Sequence, residues 1–215
     1  MSESAVPAFR VAVSQRVDVI AEINEVRDSL DSRLTRWIAR WGGVPFPVSS
    51  HLVAGSDFSK VGQWLEAVRP QAIILSGGNT PGEHPLRDQT ESGLLDWAEQ
   101  KNVPVLGICR GLQFMAVSAG AELKPVENHV RTRHRIVPAD GESFPECVNS
   151  YHHFSVRHCP ADYDIIATSE DNEIEAIRHR FLKWEGWMWH PEREAGFSEI
   201  EIKRVKQLFG ITRCE

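Results

Sequence analysis

The amino-acid sequence predicts an α/β domain with a mainly parallel central sheet flanked by helices and an added antiparallel β region in its second half. Three observations carry this. Up to residue 117, four short apolar runs alternate with four stretches of helical periodicity, the order that builds a parallel sheet with helices on both faces. One of the runs, Ala72-Ile73-Ile74-Leu75, is apolar without interruption, as a strand covered on both faces must be. After about Gly120 the pattern changes to short β-like segments richer in charge and aromatics, which read as antiparallel. The 215 residues suit one large domain, and no repeat or low-complexity linker divides them, so a single domain over 1–215 is expected.

Taken in order, Phe9-Arg10-Val11-Ala12-Val13 is a first, buried strand. It ends in Ser14-Gln15-Arg16, polar residues at a strand's C-terminal end, where open α/β sheets bind ligands. Residues 28–41 place Leu30, Leu34, Trp37, Ile38 and Trp41 at helical spacing, and Gly42-Gly43 stops the helix. Val44-Pro45-Phe46-Pro47-Val48 is a short strand whose two prolines suit a sheet edge. Residues 58–68 form a second helix, with Phe58, Val61, Leu65 and Val68 in phase. The strand at 72–75 runs into Ser76-Gly77-Gly78-Asn79-Thr80-Pro81-Gly82, whose adjacent glycines let backbone N–H groups turn toward a ligand. A plain glycine loop would read the same way. A third helix over 87–101 carries Leu94, Leu95 and Ala98 inward, and a strand over 103–108 follows. Later β segments are expected at 134–137, 151–157, 164–168, 173–178 and 186–189, then a closing helix over 197–209.

The chain centres on Gly107-Ile108-Cys109-Arg110-Gly111. A strand leads in and the helix-like run Leu112-Gln113-Phe114-Met115-Ala116-Val117 leads out, the order a nucleophile elbow needs. The flanking glycines leave room for a tight, strained turn. A helix N-terminus beside Cys109 favours thiolate over thiol. A buried structural cysteine is the alternative, and the glycines and the strand–helix context weigh against it. A thiolate nucleophile needs a base, and the base an orienting group. Among nine histidines, His190 stands out. It follows the aromatic run Gly186-Trp187-Met188-Trp189, Pro191 fixes the next turn, and Glu192 lies two residues on, on the same side of an extended segment. On this spacing alone, a surface His beside a surface Glu remains open.

Composition excludes several classes. The net charge of −6 argues against nucleic-acid binding. No run approaches membrane-spanning length and no signal-peptide core is present, so a cytoplasmic location and no membrane partner are expected. Cys109, Cys147, Cys159 and Cys214 show no CxxC or metal spacing; free thiols, no metal and no cofactor are expected.

Leu75-Ser76-Gly77-Gly78, then Gly107-Ile108-Cys109-Arg110-Gly111-Leu112-Gln113, then Trp189-His190-Pro191-Glu192 resemble the class I glutamine amidotransferase superfamily, in the family's order and over most of the chain. The resemblance implies a flavodoxin-like fold and a triad of Cys109 as nucleophile, His190 as base and Glu192 as orienter. It implies an oxyanion hole from the backbone N–H groups of Gly78 and Arg110. Gly77 and Gln113 would help hold a glutamyl group, and Ser150 and Tyr151, in Val148-Asn149-Ser150-Tyr151-His152-His153, would contact its amino and carboxylate ends. The chemistry implied is acyl transfer through a thioester, releasing glutamate.

Arg110 stands where amidotransferase subunits commonly carry Leu. With Pro85-Leu86-Arg87-Asp88, Glu91 and Asn149-Ser150-Tyr151-His152-His153, it is more similar to the γ-glutamyl hydrolase branch, which includes the γ-glutamyl-γ-aminobutyrate hydrolases. Asn79 and the short chain depart from many of those enzymes, which touches the leaving-group pocket. Val13-Ser14-Gln15-Arg16 and Arg27-Asp28-Ser29-Leu30-Asp31 resemble a smaller subgroup that includes γ-glutamyl-CDP-amidate hydrolases of surface-polysaccharide modification. His129-Val130-Arg131-Thr132-Arg133-His134-Arg135 concentrates three arginines, Arg131, Arg133 and Arg135, and two histidines; with Arg16 these could clamp a phosphate or pyrophosphate, or the run could be a solvated hairpin surface. Trp187 and Trp189 are core by default, with stacking on a nucleobase the lesser alternative. The expectation is thus a lone hydrolase of a small-molecule γ-glutamyl amide, with a homodimer admissible. Two readings compete: a glutaminase subunit passing ammonia to a separate synthase, and a catalytically silent binding module.

Overall fold

A computed structural model describes residues 8–52 and 59–211. Phe58 and Cys214 lie outside them. The strand β1 (Phe9–Ser14) is followed by a hairpin, β2 (Arg16–Ile20) and β3 (Glu25–Ser29). Helix α1 (Ser32–Arg40), β4 (Gly43–Val48), helix α2 (Ser59–Val68), β5 (Ala72–Leu75), helix α3 (Pro85–Lys101), β6 (Val105–Ile108) and helix α4 (Arg110–Ser118) complete the first half. The second half contains β7 (Leu123–Pro125), β8 (Val130–Pro138), β9 (Cys147–Tyr151), β10 (Phe154–Val156), β11 (Tyr163–Ser169), β12 (Ile174–His179), β13 (Trp184–Trp187) and helix α5 (Glu199–Leu208).

One nine-stranded sheet runs β4-β1-β5-β6-β13-β12-β11-β8-β9. Its first five strands are parallel, with Pro45 and Pro47 on the edge strand β4 as their missing N–H groups require. The rest are antiparallel. The antiparallel region is therefore an extension of the same sheet, and β13 is its junction, parallel to β6 and antiparallel to β12.

Strand alternation sorts the core into two layers. Val11, Val13, Ile74, Leu106 and Ile108 face Trp37, Ile38 and Trp41 near α1 and Ile202 and Val205 on α5. Ala12, Ile73, Leu75 and Val105 face Val61, Leu65, Leu94, Ala98 and Met115 on α2, α3 and α4. Trp187 and Trp189 are fully buried in the first layer, their rings stacked at 5.6 Å, so neither offers a face to a nucleobase.

Three sequence expectations are corrected. The helix expected over 28–41 begins only at Ser32, because Asp31 caps it by accepting the Arg33 N–H at 2.9 Å; Asp28 instead sits on β3. The β2–β3 hairpin was not expected because half of its strand residues are charged and only Val17 is buried, too little to mark a period of two. The strand expected over 151–157 is broken at His152-His153, so that β9 pairs with β8 while β10 pairs with β7.

Glycine contacts at the elbow are close. A Cβ on Gly111 would sit 2.1 Å from the Leu75 carbonyl oxygen, and one on Gly107 would sit 2.6 Å from the Gly111 backbone. Gly62 in α2 has open space around its Cβ direction. Gly111→Ala should therefore destabilise the fold by about 2–3 kcal/mol, and Gly62→Ala should stabilise it by about 0.5–1 kcal/mol, both read from denaturant midpoints.

Candidate active site

Cys109 sits at the N-cap of α4 with φ 51° and ψ −104°, a left-handed conformation that a residue with a Cβ adopts only when its surroundings enforce it. Its N–H donates to the Trp187 carbonyl at 2.7 Å, and its own carbonyl accepts the Gln113 N–H at 3.1 Å. The turn is thus pinned to β13 on one side and to the helix on the other. Arg110 is the first residue of α4, so its N–H has no acceptor within the helix.

The adjoining Ser76–Asn79 loop is shaped by Arg87 on α3. Its buried guanidinium donates to the carbonyls of Ser76 at 2.7 Å, Gly77 at 3.2 Å and Gly78, and to Asn79 Oδ1 at 3.1 Å. With these carbonyls drawn toward α3 and the Ser76 N–H held by the Ser14 hydroxyl at 2.9 Å, the Gly77 and Gly78 N–H groups have no acceptor among the described residues. Arg87 also pairs with Glu91 at 3.0 Å, and Glu91, at 0% exposure, pairs in turn with Arg110, which also meets Asp88. Burial pulls the pKa of Arg87 down to about 10 and that of Arg110 down to about 9, so both remain cationic at neutral pH against their carboxylates.

His190 Nδ1 lies 2.7 Å from Glu192 Oε1, both side chains buried. The two meet through a 3₁₀ turn, Pro191–Arg193, rather than along the extended segment expected from their spacing. Asn149 holds the histidine's backbone in both directions: its Nδ2 donates to the His190 carbonyl at 2.8 Å, and its Oδ1 accepts the His190 N–H at 3.1 Å. Burial pushes the imidazole pKa down, but the Glu192 carboxylate and the Cys109 sulfur outweigh it and hold the value up at about 9. A Cβ on Gly77 would sit 2.5 Å from the His190 ring, so only glycine fits there.

Two clefts meet at His190. One, of about 170 Å³, is lined by Cys109, Gly78, Arg110, Gln113, Tyr151 and His152, among others. The other, of about 270 Å³, is lined by Gly77, Gly78, Arg16, Asp18, Asp31 and Arg193, among others. The structure therefore brings Cys109, His190, Gly78, Arg110, Gln113 and Tyr151 to one cleft, and Glu192, Gly77 and Arg16 to its neighbour. Ser150 is turned away: its hydroxyl donates to the His129 carbonyl at 2.7 Å and lines neither cleft. Arg131 is exposed on β8 and also lines neither; Arg133 and Arg135 are held by Glu194 at 2.9 Å and Glu146 at 2.7 Å. The structure thus does not bring Arg131 and Arg16 to one cleft.

Several residues of the site were not expected from sequence. Arg193 lines both clefts and lies over the Tyr151 ring at 4.7 Å. Asn79 docks the β2–β3 hairpin by accepting the Val17 N–H at 2.8 Å and donating to the Val17 carbonyl at 3.1 Å. Asn149 belonged to a recognisable run, but nothing in the sequence tied it to His190. Beyond β9, His129, His134, His152 and Glu175 converge into the one cluster of potential metal ligands among the described residues. No helix among those residues is long and apolar enough to cross a membrane.

The arrangement suits attack of the Cys109 sulfur on an acyl carbon. The peptidase C26 family model matches residues 11–192. The chain is 32% identical to a γ-glutamyl-CDP-amidate hydrolase of Campylobacter jejuni over 79% of this chain and 80% of that one. It is 33% identical to an anthranilate synthase component 2 of Thermococcus kodakarensis over 60% of this chain and 68% of that one. A glutamine amidotransferase structure from Thermotoga maritima shares the fold at a TM-score of 0.65 and 18% identity, covering 97% of this chain and 86% of that one. The chain belongs to the peptidase C26 family, on the class I glutamine amidotransferase-like fold, and is a hydrolase acting on C–N amide bonds.

Proposed function

We propose that the chain is a cysteine-dependent γ-glutamyl hydrolase that releases glutamate through a thioester, with Cys109 as nucleophile, His190 as base and Glu192 as orienter. The observation that carries the reading is the 2.7 Å bond from His190 to Glu192 beside a cysteine held at φ 51°. The Cys109 thiolate attacks the γ-carbonyl, and the N–H groups of Gly78 and Arg110 receive the oxyanion. The His190 imidazolium gives its proton to the leaving nitrogen as the C–N bond breaks. Water then attacks the thioester, losing its proton to His190, and glutamate departs. Gln113 and Tyr151 line the smaller cleft and suit the glutamyl group.

The leaving group in this proposal carries phosphate. Support comes from Arg16 and Arg193 in the larger cleft and from the Campylobacter jejuni relative, whose name specifies a nucleotide amidate. Arg16 rests on Asp18 through its Nε and Nη2 and is half exposed, so its other N–H donors remain open to a phosphate. Arg193 stands 3.7 Å from both Asp31 and Glu192, and its Nε has no hydrogen-bond acceptor among the described residues. That Nε is itself buried, so a charge-assisted bond to a ligand falls to the outer guanidinium nitrogens of this cleft-lining side chain. The anthranilate synthase component 2 relative keeps a second reading, an ammonia-donating subunit, which would hydrolyse little without its synthase.

Cys109→Ala should abolish glutamate release from γ-glutamyl amides, a loss of several orders of magnitude, with the fold unchanged by circular dichroism. Near wild-type turnover would refute the mechanism. Glu192→Gln should lower kcat far more than it changes KM. The same change should shift the alkaline limb of kcat/KM. In the wild type that limb reflects loss of the His190 proton near pH 9; without the Glu192 charge the raised pKa falls, so activity is lost at lower pH. Arg16→Ala should raise KM roughly tenfold for a phosphorylated leaving group and leave a neutral γ-glutamyl amide unaffected, with added salt weakening only the former. Arg131→Ala should change neither. Equal losses of Arg16→Ala on both substrates would refute the phosphate assignment.

A further inference from the structure

His129 and His134, five residues apart, converge with the more distant His152 and Glu175 within 4.8 Å, ligand atom to ligand atom. His129 precedes β8, His134 lies within it, His152 follows β9 and Glu175 lies on β12. The histidines are 2% exposed (His129), partly buried (His134) and 3% exposed (His152), and Glu175 is fully buried.

The hydrogen bonds around the cluster decide what its centre contains. Each ring spends its outward nitrogen on an oxygen. His129 Nε2 meets Asp171 Oδ2 at 3.0 Å, His152 Nδ1 meets the Phe154 carbonyl at 3.0 Å, and His134 Nδ1 meets the Arg135 carbonyl at 3.3 Å. Oxygen only accepts, so these nitrogens carry the protons and the inward nitrogens of neutral rings carry lone pairs. Three lone pairs then face one another and a carboxylate. Neither oxygen of Glu175 makes a hydrogen bond, nor does His134 Nε2. Negative and lone-pair density gathered at one buried point calls for a cation.

The distances fit a metal ion. His129 Nδ1 is 3.1 Å from His152 Nε2. Glu175 Oε1 is 3.5 Å from His129 Nδ1, 3.3 Å from His134 Nε2 and 3.4 Å from His152 Nε2. A tetrahedral zinc ion with bonds of ~2.0–2.1 Å sets its donor atoms ~3.3–3.4 Å apart, and four of the six edges are near that spacing. Oxygen partners behind the rings are the supports that orient metal-bound histidines.

We propose that these four side chains form a closed, four-coordinate zinc site with a structural role. Three imidazoles and a carboxylate match the ion's preference, and no protein position is left open for substrate. The site would brace the wall of the Cys109 cleft. His152 lines that cleft beside Tyr151, and the His152 N–H and the Ser150 hydroxyl both donate to the His129 carbonyl, at 3.0 and 2.7 Å. One ion thus fastens residues 149–154 to β8 and β12.

The test is reconstitution of the full chain. After dialysis against a chelator, the protein is titrated with Zn²⁺ alone and bound metal is measured by elemental analysis, with thermal unfolding in parallel. One ion per chain and a rise in Tm are expected for the wild type and for Cys109→Ala. His134→Gln should weaken zinc binding at least tenfold and lose the Tm response. X-ray absorption of the zinc-loaded wild type reads the site without any substitution: four nitrogen or oxygen donors at ~2.0–2.1 Å with the outer-shell scattering of imidazole, and no sulfur at ~2.3 Å. A sulfur ligand, or binding lost in Cys109→Ala and kept in His134→Gln, would place the ion at the catalytic cysteine and overturn the proposal. Failure of the wild type to bind Zn²⁺ would overturn it too, leaving a cluster held by protons alone.

Discussion

A buried guanidinium, that of Arg87, organises the site. Charges are costly to bury, and they persist only where paired and hydrogen-bonded throughout. Arg87 meets this condition by collecting the carbonyls of the Ser76–Gly78 turn and the carboxylate of Glu91. Glu91 also meets Arg110, the residue after Cys109. The glycine loop and the elbow come from different strands, yet their separation is set by a shared carboxylate. Removing one member would leave an unmatched buried charge, so the network enforces its own completeness.

The second constraint is the sheet. β6 ends at the elbow and β13 ends just before His190, and the two pair in parallel with Trp187 opposite Ile108. Cysteine and histidine therefore emerge side by side from adjacent strand ends. The stacked Trp187 and Trp189 rings, with Phe144 against both, make the histidine's approach rigid. Below them Trp189 donates to Glu201 at 2.6 Å, a carboxyl that burial, with the nearby Glu194 and Glu192 charges, raises to about 7.

The parallel half of the fold was legible because its strands are covered on both faces and its helices carry one apolar stripe. The elbow was legible for a different reason: Gly107 and Gly111 are required by contacts within ångströms of Cys109, so local sequence and local geometry coincide. What failed was either polar or long-range. The hairpin buries only Val17, too little to announce it. Nothing local marked Arg193, which follows Glu192 in the turn that buries Glu192 against His190. Arg131 looked like a ligand-binding residue because composition cannot show which way β8 turns its side chains. The His129–Glu175 cluster shows only His129 and His134 at short range, and strand order brings His152 and Glu175 to them.

The β2–β3 hairpin holds to the rest of the chain at few points. Asn79 grips Val17, and Asp28 accepts hydrogen bonds from Ser49 at 2.6 Å and from the N–H and hydroxyl of Ser50 at 3.0 and 2.6 Å. Its tip carries Val19, Ile23 and Val26 at 53–64% exposure, with no core behind them. It nevertheless supplies Arg16 and Asp18 to the larger cleft. Such an appendage is modular: its length and side chains can drift while its two anchors stay fixed, and neither the elbow nor the buried ion network registers the change. On this scaffold, a lineage can acquire a new molecule to cleave by rewriting a surface ribbon, leaving the bond-breaking apparatus inherited intact.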